Sequence, residues 1–435
     1  MIDFRDDAAW ARAQDAADPL SPLRAEFLLP RAPDGSTGLY FCGHSLGAQP
    51  RRARDYILEE LDDWARLGVE GHFAGRHPWM PYHELLRAST ARLVGARESE
   101  VVVMNTLTVN LHLLLISFYR PTPARHRVLI EAGAFPSDQY AIDSQVRLHG
   151  FEPREAVLEA RPRAGESTLR QDDLLELLER EGESIALVML GTPNYLTGQA
   201  LERATLVRAA RARGCAIGFD LAHGAGNLAP ALHDEGPDFA VWCNYKYLNA
   251  GPGGLGGAFV HERWARDRSL PRLTGWWGQD KETRFAMPRD FTPIPGAEGW
   301  QLSNPPIFQL ASLRASMELF ERAGIGALRA RGDRLTGYLQ FLLESISRDA
   351  QILGHQPFQL VTPAHAGERG SMLTLRITPS PRGGAKELVE QLAARGALVD
   401  LRVPDIVRIT PAPLYNSMSE VHALSQLLRE FWSVA

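Results

Sequence analysis

Two short segments carry the residue types that suggest chemistry: Phe219-Asp220-Leu221-Ala222-His223 and, roughly one strand and turn later, Asn244-Tyr245-Lys246-Tyr247-Leu248-Asn249. Asp220 ends the run Cys215-Ala216-Ile217-Gly218-Phe219, which is short, apolar and glycine-bounded, as a buried parallel strand should be. In open α/β sheets ligands sit beyond the carboxyl ends of strands, where Asp220 would project. Lys246 follows the apolar run Phe239-Ala240-Val241-Trp242 and precedes the glycine-rich Gly251-Pro252-Gly253-Gly254. A carboxylate and a lysine in this order suit pyridoxal phosphate, which needs an amine to bond its aldehyde and an anion opposite its pyridinium nitrogen.

Other residues fit around that pair. Leu107 and Thr108 lie where strand Val101–Met104 gives way to an apolar helix, so Thr108 is either a phosphate contact or an N-cap. Phe135-Pro136-Ser137-Asp138 follows strand Val128–Glu131 at the same sheet edge. Phe135 suits stacking on a planar ring and Asp138 suits hydrogen bonding to it, although Ser137 or Asp138 would also cap a helix. His223, three residues past Asp220, is placed to hydrogen-bond that carboxylate or a ring substituent. Arg408, in Val407-Arg408-Ile409, requires an anion in an apolar setting: a substrate carboxylate or an internal acidic partner. Thirteen histidines bring no metal-ligand spacing, there is no GxSxG elbow, and no Gly-Lys-Ser/Thr follows the glycines, so we expect no metal site. The glycine run reads as backbone packed close beside the lysine.

The elements that must position these groups alternate. Strands are expected at Val101–Met104, Val128–Ile130, Ile185–Leu190 and before Asp220, with helices near 51–68, from about Ser137, and near 201–213. That rhythm predicts a parallel sheet with helices on both faces. Beyond Pro306 come two long helical stretches, about 307–324 and 326–348, then short strands such as Met372–Ile377. We therefore expect a large cofactor-binding domain over 51–306, a smaller α+β domain over 307–435, and residues 1–50 packing with the smaller one. At 435 residues, 45% hydrophobic and 23% charged, the chain has ample core and the make-up of an ordinary globular protein. A net charge of −5 without a basic run interleaved with aromatics argues against nucleic acid. The acidic start Met1–Asp7 carries no apolar leader, and Leu111–Phe118 is too short to span a bilayer. Three cysteines without CxxC spacing read as free thiols, and the expected location is cytoplasmic.

The segments YFCGHSLGAQP, EGHFAGRHPW, MNTLTVNLHLLL, EAGAFPSDQYAI, GFDLAHGAGN, WCNYKYLNAGPGG, GWWG, SNPP and VRITPAPLYNS, in this order along nearly the whole length, resemble the kynureninase family. The resemblance implies fold type I of the pyridoxal-phosphate enzymes, the aspartate-aminotransferase-like fold, and a homodimer with active sites at the subunit interface. It implies hydrolysis of L-kynurenine or 3-hydroxykynurenine to anthranilate or 3-hydroxyanthranilate plus L-alanine, in tryptophan degradation or nicotinamide-cofactor synthesis. Lys246 would then hold the cofactor and Asp220 face its nitrogen, with Phe135, Asp138 and His223 about the ring. Leu107, Thr108, Tyr245 and, from the partner subunit, Trp276 would contact phosphate. Asn304 would lie near cofactor and substrate, Arg408 would grip the α-carboxylate, and His72, Ser303 and Asn304 would shape an aromatic pocket favouring the 3-hydroxylated substrate. Tyr245 would also manage protons. Two positions depart from the family pattern: His44 replaces the asparagine of GNSLG, and Gly191 stands where serine or threonine is common, leaving Thr192 to replace that hydroxyl. A desulfurase-like or aminotransferase-like lyase is the competing enzyme reading, but no cysteine sits in a mobile loop. A cofactor-binding protein without turnover is opposed by the intact Lys246, Asp220 and Arg408 set.

Overall fold

The computed structural model describes residues 3–352 and 354–432. Seven strands, β1 (Val101–Met104), β2 (Arg127–Glu131), β3 (Val157–Ala160), β4 (Ile185–Gly191), β5 (Ala216–Asp220), β6 (Phe239–Cys243) and β7 (Gly256–Val260), form one sheet in the order β1-β7-β6-β5-β4-β2-β3. Alternate side chains feed two apolar layers. Val101, Val103, Val188, Leu190, Phe219, Ala240 and Trp242 enter one; Val102, Met104, Leu187, Met189, Phe239 and Val241 enter the other. Helices cover both faces, which is why these strands are apolar on both sides.

The sheet is mainly parallel, as expected, with one strand reversed. Strand β7 runs antiparallel to both β1 and β6, while β2 to β6 pair in parallel. Gly256 and Gly257 therefore belong to a strand and not to the lysine loop. Their lack of side chains hid β7 from pattern reading but lets it press against Trp242: a Cβ on Gly257 would lie 2.3 Å from the indole. Because β7 reverses direction twice over, β1 points the same way as its parallel neighbours beyond. Met104, Glu131, Gly191, Asp220 and Cys243 all end at one edge of the sheet, and every segment singled out for chemistry in this half of the chain starts there.

A second, antiparallel sheet joins β8 (Phe358–Leu360), β9 (Leu373–Ile377), β10 (Asp400–Arg402) and β11 (Ile406–Ile409) in the order β8-β9-β11-β10. The helix Ala8–Ala17 packs on Met418–Trp432, and the Asp15 carboxylate accepts from the amides of Met418 and Ser419 at 2.7 and 2.9 Å. Leu39–Tyr40 pairs in parallel with Ala397–Leu398, and the chain then crosses to the first sheet, where the Gly47 amide donates to the Tyr245 carbonyl at 2.8 Å. One N-terminal segment thus joins the small sheet to the lysine turn. Among the described residues no helix is long and apolar enough to cross a membrane.

Replacing Gly257 by alanine should overpack the fully buried Trp242. The expected cost is about 1–3 kcal/mol, seen as a lower urea midpoint at unchanged slope.

Candidate active site

At the shared strand edge lies a cavity of about 120 Å³ lined by Leu107, Thr108, Phe135, Asp138, Asp220, His223, Tyr245 and Lys246, together with Glu131, Ser137, Gly191 and Tyr195. Two helices begin at its rim, α1 (Leu107–Phe118) and α2 (Pro136–Leu148). Neither start has a side-chain cap; the N-cap positions are Thr106 and Phe135. Thr108 is therefore not the cap: it sits in the first turn of α1, its hydroxyl 2.7 Å from that of Ser137 in the first turn of α2. Two uncapped helix starts and a hydroxyl pair at one rim of the cavity suit an anion.

Asp220 is buried at the far wall, and its Oδ1 accepts from the Ala222 amide at 2.6 Å. Asp138 is equally enclosed and faces it. Burial, then the neighbouring Asp220 charge, push the Asp138 carboxyl well above the usual range. Asp220 is raised too, by burial, against the pull of Asp138, the Lys246 ammonium and the Ala222 amide. Asp138 Oδ1 and His223 Nδ1 are buried without hydrogen-bond partners, so of the two partners expected for His223, Nδ1 does not take the Asp220 carboxylate and is left for a ring substituent. Two acidic groups and two unsatisfied polar atoms in a slot walled by Phe135 fit a flat heteroaromatic ring with an N–H and polar substituents. Lys246 Nζ lies 5.7 Å from the Phe135 ring centroid and 5.9 Å from that of Tyr245. Burial, then the Cys243 thiol, raise the Tyr245 phenol, which stays protonated and able to donate at neutral pH.

Arg408 is 1% exposed and does not line the cavity. Its Nε donates to Asp400 Oδ2 at 2.7 Å, its Nη2 lies 2.5 Å from the same oxygen, and its Nη1 donates to the Tyr195 carbonyl at 2.6 Å. In this conformation the internal acidic partner is present, directly opposite Arg408 in the β10–β11 register. Tyr195 connects the cluster to the cavity: its ring lies edge-on to Phe135, centroids 5.2 Å apart. Burial alone would raise Asp400, but the His44 ring and the Arg408 guanidinium hold it well below the carboxylate range. His44 is fully buried, its Nδ1 2.8 Å from the Thr410 hydroxyl and its Nε2 3.8 Å from Asp400; burial pulls it down to about 4, so it is neutral.

His72, Trp276, Ser303 and Asn304 are not at this cavity. His72 bonds the Val69 carbonyl at 3.0 Å, and Trp276 is 41% exposed, edge-on to Phe285. Ser303 and Asn304 are exposed. Thr192 does not supply the hydroxyl missing at Gly191; it is fully buried and its Oγ1 accepts from the Leu201 amide at 2.9 Å. Sequence reasoning passed over Glu131, Ser137, Tyr195 and Asp400. The charge closing the apolar strand Val128–Ile130 was the available signal for Glu131, and the Phe135–Asp138 turn the one for Ser137.

Residues 48–362 match the class-V aminotransferase family model, and residues 328–428 match that of the kynureninase C-terminal domain. A kynureninase of Myxococcus xanthus (strain DK1622) is 59% identical over 425 residues, 98% of this chain and 97% of that relative. One of Koribacter versatilis (strain Ellin345) is 55% identical over 417 residues, 96% of each. The chain belongs to the kynureninase family. The fold is that of fold type I pyridoxal-phosphate enzymes: a C-DES mutant with glycine covalently linked to its PLP cofactor superposes with a TM-score of 0.74 at 17% identity, covering 93% of this chain and 98% of that one. The apo cysteine desulfurase of Thermococcus onnurineus NA1 gives 0.70 at 17% identity, over 90% and 94%.

Pyridoxal phosphate is the cofactor of this family, and the cavity's two ends suit its phosphate and its ring. Thr108→Val combined with Ser137→Ala should weaken pyridoxal phosphate about a hundredfold or more, since each hydroxyl bond to a charged group contributes about 1.5–3 kcal/mol. Pyridoxal without phosphate should bind both proteins alike; equilibrium dialysis reads both.

Proposed function

We propose that the protein hydrolyses L-kynurenine or 3-hydroxy-L-kynurenine to anthranilate or 3-hydroxyanthranilate plus L-alanine, in tryptophan degradation or nicotinamide-cofactor synthesis. The observation that carries this reading within the family is the buried Asp220 at the wall of a cavity that also holds Lys246. The bound cofactor supplies an electron sink for cleavage between the β-carbon and the ketone carbon. Asp220 keeps the ring nitrogen protonated and so keeps that sink open. Lys246, once released by the incoming amino acid, takes the α-proton. Tyr245, protonated and adjacent, would give a proton to the ketone oxygen as water adds, regain one from that water, and carry a proton from the resulting diol to the β-carbon as the bond between them breaks. Arg408 receives the α-carboxylate through its planar fork once the guanidinium exchanges Asp400 and the Tyr195 carbonyl, its partners in this conformation, for the substrate.

The active form in this reading is a homodimer with shared sites. Trp276, Ser303 and Asn304 are exposed and away from the Lys246 cavity of their own chain, so a second copy is needed to bring them to it. Trp276 would then meet the phosphate, and Asn304, Ser303 and His72 the substrate ring, favouring its 3-hydroxyl. An apolar groove of about 680 Å³ beside the lysine turn, with Leu28, Ile57, Leu58 and Pro252 in its walls, is surface that a second copy would cover. Residues 51–306 act as the cofactor-binding domain, and 307–435 with 1–50 as the smaller one. Free thiols at Cys42, Cys215 and Cys243 support a cytoplasmic location.

Lys246→Ala and Trp276→Ala proteins should each lose turnover of both kynurenines, measured by product absorbance. Mixed in equal amounts and allowed to exchange subunits, they should recover about one quarter of the wild-type sites, because each hybrid dimer rebuilds one complete site. No recovery from exchanged subunits contradicts the shared site, and a wild-type protein inert on both substrates contradicts the activity.

A further inference from the structure

Glu131 is a third acidic group in the cofactor cavity, and the reading so far gives it no task. It closes β2, is 5% exposed and lines the cavity beside Asp138 and Asp220. Its carboxyl is met by the Gly191 amide, 3.2 Å from each oxygen. A Cβ on residue 191 would lie 2.8 Å from Glu131 Oε1, so the missing side chain at Gly191 is what makes room for this carboxyl. The cavity then holds three carboxyl groups and one amine, Lys246. Three charges of one sign cannot share so small an enclosed space, so at least one acid keeps its proton and becomes a donor.

The strand order says what that donor would meet. On the pyridoxal ring the phosphate-bearing carbon is para to the methyl carbon, next to which sits the hydroxyl. With phosphate at Thr108, beside β1, and the ring nitrogen at Asp220 on β5, the hydroxyl-bearing edge would face onward across β4 toward β2, the next strands in the sheet. Glu131 ends β2. We propose that Glu131 is a cofactor-positioning acid that donates a hydrogen bond from its protonated carboxyl to the ring oxygen of pyridoxal phosphate. Burial raises this carboxyl to about 7 against the pull of its own backbone amide and that of Gly191, with the Asp220 charge adding to the rise. The ionisable groups facing it from neighbouring elements are Asp220 on β5 and Asp138 on α2, both acidic. The ring oxygen is an acceptor that carries negative charge, and binding it keeps the proton in place. The proposal rests on cofactor binding here but not on the identity of the amino-acid substrate, so failed kynurenine turnover would leave its readouts intact.

The visible absorption of the lysine-bound cofactor titrates with pH as the nitrogen joining the two loses its proton. A donor on the ring oxygen draws off electron density that would otherwise help hold that proton, so removing the donor raises the midpoint. Glu131→Leu should move the midpoint up by about one pH unit or more and weaken pyridoxal phosphate about tenfold, whereas Glu131→Gln, which keeps a donor and the shape, should stay within a few tenths of a unit of wild type. A packing role alone would not move the midpoint. Wild type, which needs no substitution to be tested, should bind the 3-deoxy analogue of the cofactor about tenfold more weakly than pyridoxal phosphate, and Glu131→Leu should bind the two alike. An unchanged midpoint in Glu131→Leu, a leucine-like shift in Glu131→Gln, or equal binding of the two cofactors by wild type overturns the proposal.

Discussion

A carboxyl buried at the end of an apolar strand is the constraint around which this fold is arranged. Asp220 is largely withdrawn from bulk water there, and an isolated buried charge costs several kcal/mol unless something meets it. One amide, from Ala222, satisfies one oxygen. Asp138 and the Lys246 ammonium meet part of the rest, and burial still leaves the carboxyl raised, so a ligand entering the cavity can meet what remains. A pyridinium N–H answers it, because it brings both a positive charge and a donor to a buried carboxylate. The Asp138 carboxyl facing Asp220 states the same demand from the other side, since two acids in contact cannot both ionise. Cofactor binding thereby relieves a strain that the apolar strand creates.

The second organising relation joins the two sheets. Arg408 and Asp400 belong to the small sheet, yet Arg408 reaches the Tyr195 carbonyl in the segment that follows β4. His44 and Gly47 lie on one N-terminal strip, the first packed on Thr410 and the second bonded to the lysine turn through the Tyr245 carbonyl. A shift of the small sheet relative to the large one therefore moves the guanidinium, Tyr195 and the lysine turn together. Neutral His44 fits this role, because a protonated ring would add a third cation, after Arg408 and Arg402, around the single Asp400 carboxylate.

Much of this was legible in the chain. The apolar runs at Val101–Met104, Ile185–Leu190 and Cys215–Phe219 read as buried strands because each is short, apolar throughout and bounded by turn residues, and they lie within a residue or so of where the structure has them. Strand β7 did not read as one, since Gly256 and Gly257 carry no pattern; its place is dictated by the Trp242 indole, a contact between distant elements. Arg408 illustrates a different limit. Its need for an anion was plain from an apolar neighbourhood, but the choice of Asp400 depends on strand register, which places the two directly opposite. Glu131 shows a third: a charge closing an apolar strand is ambiguous until the facing Gly191 is seen to leave it room. Trp276, Ser303 and Asn304 mark the last: they lie away from the Lys246 cavity, and nothing in the geometry of their own chain gives them a partner there.

The measurement that bears most directly on Asp220 is the nitrogen-15 chemical shift of ring-labelled pyridoxal phosphate bound to the wild type and to Asp220→Ala. The buried carboxylate should hold the ring nitrogen protonated across the neutral range in the wild type, and its removal should leave that nitrogen unprotonated over the same range. A nitrogen that is unprotonated in the wild type, or equally protonated in both proteins, would contradict the account.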